Sequence, residues 1–183
     1  HARSDNELTK AIVDIFSDYR VLFSNKSAEG GLGLTKNDIL RYGHYEILGT
    51  LMHMIRTKNY PVRPGKTANH ECEAWDDENT PTRSQRENTI RDTRVFLNKY
   101  SQLVSNVARI KEGIKKPDHL RLSYFLFKSG LYKREMNEDI YNRIDAMLNV
   151  VLNRDNPVFS EIKALSGNDE EGIYNKYVTV YNM

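Results

Sequence analysis

The sequence predicts an all-α protein, a single antiparallel helical bundle with about four long core helices. Three observations carry that expectation. Apolar residues recur at three- and four-residue steps through most of the chain, the spacing that gathers side chains on one face of a helix with 3.6 residues per turn. Ser, Thr and Asn precede the periodic segments and Gly or Pro follow them, as helix starts and stops require. The third is size, since 183 residues suffice for one domain to bury roughly 70% of its unfolded-state surface without disulfides or a structural metal. Residues 1–183 are therefore expected to form one helical domain.

Leu8, Ile12, Ile15, Phe16, Tyr19 and Phe23 make one face of a first helix over about 5–23, and Ser4 with Glu7 has the spacing of a capping box. Gly30, Gly31 and Gly33 end it in a connection that also holds Asn25-Lys26-Ser27. That triplet is a glycosylation sequon, relevant only along a secretory route. A second helix, capped by Thr35 or Asn37, carries Ile39, Leu40, Ile47, Leu48, Leu51, Met54 and Ile55. Pro61, Pro64, Gly65 and Pro81 then interrupt a mainly polar stretch, which predicts a long polar loop near 59–82.

Periodicity resumes over 84–113 with Ile90, Phe96, Leu97, Tyr100, Leu103, Val104, Val107 and Ile110, the longest helix, closed by Gly113 and Pro117. Leu120 to Tyr132 is apolar on most sides, which predicts the helix most deeply surrounded by the others. Asn137 then caps a helix carrying Ile140, Tyr141, Ile144, Met147, Leu148, Val151 and Leu152. Short C-terminal elements follow Pro157, and the last, with Ile173, Tyr177, Val178 and Tyr181, reads as helix.

Charge excludes some functions. The 27 Lys and Arg against 25 Asp and Glu leave a net +2, which argues against a dedicated nucleic-acid coat, whose phosphate contacts need a strong basic excess. The balance is locally uneven, with acids at 71–78, arginines at 83–94 and lysines at 111–116. No stretch approaches the ~18 apolar residues that span a bilayer, so direct membrane insertion by these residues is not expected. The lone Cys72 forms no internal disulfide and fits either redox compartment, and nothing else indicates a localisation. His1 in place of an initiator Met predicts a processed form or fragment of a longer chain.

Three groups of residues carry candidate functions. Eleven tyrosines, several in the C-terminal third, point to protein contacts, because Tyr packs its ring at a boundary and is enriched where proteins meet. Tyr174, Tyr177, Tyr181 and Trp75 are the expected partner-binding residues, serving a non-enzymatic interaction or assembly domain that meets a protein partner or itself. His70-Glu71-Cys72-Glu73 gathers imidazole, thiolate and carboxylate donors in one segment, the donor types of divalent transition metals. His70, Cys72 and Glu73 are the metal candidates of an alternative metal-binding module or metal-assisted enzyme, with His44 or His53 to complete the set; no other cofactor is expected. His44 and His53 point in opposite directions on one helix, so they do not chelate one ion together. Arg83, Arg86, Arg91 and Arg94 open the long helix, where positive charge opposes the helix dipole. They are candidates for an anion or nucleic-acid site, and the simpler expectation pairs them with the acidic 76–78 segment. No P-loop and no nucleophile elbow is present.

Overall fold

Side-chain capping and apolar spacing set the helices where the sequence can be read most directly. The computed structural model describes residues 6–23, 34–40, 43–59, 64–77 and 80–106, together with Leu120, Ser123, Tyr124, Lys128, Asn137, Glu138, Asn142 and Ala146. Among these residues the structure is helical, with no strand, in the order α1 (Glu7–Asp18), α2 (Arg20–Phe23), α3 (Lys36–Leu40), α4 (Gly43–Thr57), α5 (Pro64–Asp76) and α6 (Arg83–Asn106). The helix expected from Asn137 is described only at single positions, Glu138, Asn142 and Ala146, each helical, and the short elements expected after Pro157 lie outside the described residues.

Asn6 caps α1, two residues later than the predicted Ser4, its side-chain oxygen accepting from the N–H groups of Leu8 at 2.8 Å and Thr9 at 3.3 Å. Leu8, Ala11, Ile12 and Ile15 form its buried stripe. The predicted single helix over 5–23 is divided at Tyr19, whose backbone leaves helical geometry at φ −109° and ψ 27°. The Tyr19 hydroxyl lies 2.7 Å from Asn98 Oδ1 and 3.1 Å from the Arg94 carbonyl in α6, a tertiary tie at the helix end. Thr35 rather than Asn37 caps α3: Asp38 N–H donates to Thr35 Oγ1 at 3.1 Å, and Thr35 N–H donates to the Asp38 carboxylate at 2.8 Å. This is the reciprocal capping box with Asp in place of Glu.

α4 is the central helix among those described, packing against α1, α3, α5 and α6. Tyr45, Ile47, Leu48, Leu51, Met52, Met54 and Ile55 are all buried on it, a wide apolar face opposite the exposed Glu46. The segment 120–132, expected to be the most enclosed, is described only at Leu120, Ser123, Tyr124 and Lys128; the first three are buried. Phe96 of α6 meets Tyr124 edge-on at 5.4 Å between ring centroids.

The long loop predicted for 59–82 is replaced by α5, a helix of 13 residues. Its breakers were misread because of where they fall. Pro64 is the first helical residue, where a proline's missing N–H costs nothing and its fixed φ suits the helix. Ala68, Glu71, Cys72 and Trp75 are the buried face, an i, i+3, i+4, i+7 stripe disguised by a charged residue and a small one. Gly49 lets α4 approach α5 closely, since a Cβ there would stand 3.0 Å from Ala68 Cβ. The contacts ascend together along the two helices, Gly49 with Ala68 and His53 with Glu71. This is not the descending order of an antiparallel hairpin.

α6 begins at another capping box, with Thr82 N–H donating to Gln85 Oε1 at 2.9 Å and Gln85 N–H to Thr82 Oγ1 at 3.3 Å. Its buried face starts with Thr89 and Thr93, each hydroxyl donating 2.7 Å back to the carbonyl four residues earlier. Those bonds let hydroxyls enter the core without an unsatisfied group. Phe96, Leu97, Tyr100, Leu103 and Val104 continue the face.

Candidate functional site

The densest polar constellation sits between α4 and α5, centred on Glu71. Its carboxylate is fully buried, with 0% side-chain exposure. Four hydrogen bonds reach it. Oε1 accepts from Arg56 Nε at 2.6 Å and Trp75 Nε1 at 2.8 Å, and Oε2 accepts from Arg56 Nη2 at 2.8 Å and His53 Nδ1 at 2.8 Å. Helical spacing arranges the donors: His53 and Arg56 are one turn apart on α4, and Glu71 and Trp75 one turn apart on α5. Arg56 binds in the bidentate fork that matches a carboxylate.

Burial alone would raise the Glu71 pKa. The hydrogen bonds from Arg56, His53 and Trp75, with the Arg56 charge, outweigh it and hold the carboxyl at about 2, against an ordinary 4.5. Glu71 is thus ionised at neutral pH and accepts only. It follows that His53 Nδ1 donates to this carboxylate. Side-chain exposures of 21% for His53 and 19% for Arg56 place both at the edge of the buried pair. The arrangement can orient an imidazole and join two helices.

The predicted site residues are distributed differently from the sequence expectation. Trp75 is 2% exposed, its indole N–H spent on Glu71 and its ring 5.7 Å from the Arg86 guanidinium carbon. It is a core residue of the described helices, with its N–H bonded and its ring covered. His70 and Glu73 are exposed on α5, whereas Cys72 turns into the core with Ala68 and Trp75. The three metal candidates therefore do not converge, a consequence of helical rotation in a segment expected to be a loop. Among the described residues no group of three or more His, Cys, Asp and Glu is placed to hold a metal ion. His44 lies against Phe16 with ring centroids 4.5 Å apart, away from the Glu71 contact of His53.

Each of the four arginines meets a carboxylate among the described residues. Arg83 pairs with Glu87 at 2.9 Å, Arg91 with Asp92 at 3.2 Å, Arg86 with Glu7 of α1 at 2.7 Å, and Arg94 with Asp18 of α1. Arg86 also donates to the backbone carbonyls of Asp77 and Pro81, which lie between α5 and α6 in the chain. The bond to the Asp77 carbonyl ties Arg86 to the acidic segment. Tyr174, Tyr177 and Tyr181 lie outside the described residues. No described helix is long and apolar enough to cross a membrane.

Sequence reasoning missed His53 and Arg56 as partners of Glu71. The readable signal was a His and an Arg one turn apart on α4, against a Glu and a Trp one turn apart downstream. Reading the second pair required recognising α5. Comparison with known proteins gives no matching family model, no matching curated relative and no matching solved structure.

Proposed function

We propose that the chain is a non-enzymatic helical interaction or assembly domain that binds a protein partner or another copy of itself. The carrying observation is how the described helices use their charged groups. Glu71 joins α5 to α4, and Arg86 and Arg94 join α6 to α1. These contacts support a braced platform formed by the described helices α1, α4, α5 and α6. In this reading the helices after it complete a bundle around α4, and Tyr174, Tyr177 and Tyr181 meet the partner. The same contacts favour bracing over anion binding for Arg86 and Arg94, whereas Arg83 and Arg91 pair with carboxylates of α6 itself. Light scattering and partner capture, comparing the chain with a variant carrying Ser at all three tyrosines, test the proposal. Loss of the complex or of self-association, with an unchanged helical circular dichroism spectrum, is expected; unchanged mass and unchanged capture would count against this surface.

One observation favours a second reading, metal binding. A histidine whose Nδ1 is held by a carboxylate presents Nε2 as metal-ligating histidines do, which moves that reading from His70, Cys72 and Glu73 to His53. Elemental analysis of untagged protein decides it: a stoichiometric divalent metal that His53→Ala removes supports the reading, and its absence ends it.

A further inference from the structure

We draw no further inference here: the strongest candidate, the partly exposed edge of His53 on α4, belongs to the Glu71 cluster already described, and among the described residues no second ligand or nucleophile is shown beside its Nε2.

Discussion

The α4–α5 and α1–α6 junctions are both crossed by arginine–carboxylate pairs, yet their surroundings differ. Glu71 has no exposed side-chain surface and takes donors from three residues, whereas Asp18, the partner of Arg94, is 53% exposed. Water already reaches both members of the Arg94–Asp18 pair, so their attraction is screened and breaking it leaves groups that water can satisfy. At Glu71 the protein has replaced water donor by donor, and loss of one partner strands a buried charge. The same chemistry is thus dispensable at the Arg94–Asp18 pair and obligatory at Glu71.

Breaking the buried side of this comparison has the largest expected effect. Glu71→Gln keeps the shape but removes the charge and turns an amide N–H toward a donor; it should cost about 3–5 kcal/mol in urea unfolding at neutral pH. Asn6→Ala comes next. It removes the α1 cap and the bonds from Asn6 Nδ2 to the Cys72 carbonyl and the Asp76 carboxylate, so a loss of about 1–2 kcal/mol is expected from thermal unfolding. Gly49→Ala sharpens the same junction from its apolar side. The better helix propensity of Ala gains ~1 kcal/mol, but the contact with Ala68 overpacks at a cost of ~1–3 kcal/mol, and calorimetry should find a net loss of about 1 kcal/mol. The smallest effect belongs to the exposed junction: a double-mutant cycle on Asp18 and Arg94 should give a coupling below ~1 kcal/mol, declining with added salt.

The two junctions were also unequally legible. α1 and α6 follow from periodicity, because Leu8, Ile12 and Ile15, and Phe96, Tyr100 and Leu103, stand at helical intervals without interruption. α5 was hidden. Its inward stripe contains Glu71, a residue type that single-residue polarity assigns to the surface, and its start coincides with Pro64 and Gly65. The burial of Glu71 depends on Arg56 and His53 from another helix, and that tertiary information is absent from any local window. The breaks at Tyr19 and the cap at Asn6 were missed for a related reason: both are fixed by bonds to residues more than sixty positions away. The expected arginine partners were the acidic residues nearest in sequence, 76–78, whereas Glu7 and Asp18 come within reach only once the fold brings α1 beside α6.

The most direct test of the central claim, that Glu71 holds α4 to α5 as an ionised and fully bonded carboxylate, is the pH dependence of the stability gap between the chain and Glu71→Gln, followed by fluorescence of the single Trp75. Because the folded pKa lies below the unfolded one, the charge stabilises above about 4.5, and that contribution is lost as pH falls toward about 2. At about 1.4 kcal/mol per pH unit, the change is on the order of 3 kcal/mol. The account predicts a gap that is large and constant above that window and shrinks through it, since protonated Glu71 closely resembles Gln. A gap below ~1 kcal/mol at neutral pH, or one that does not change with pH, would contradict it.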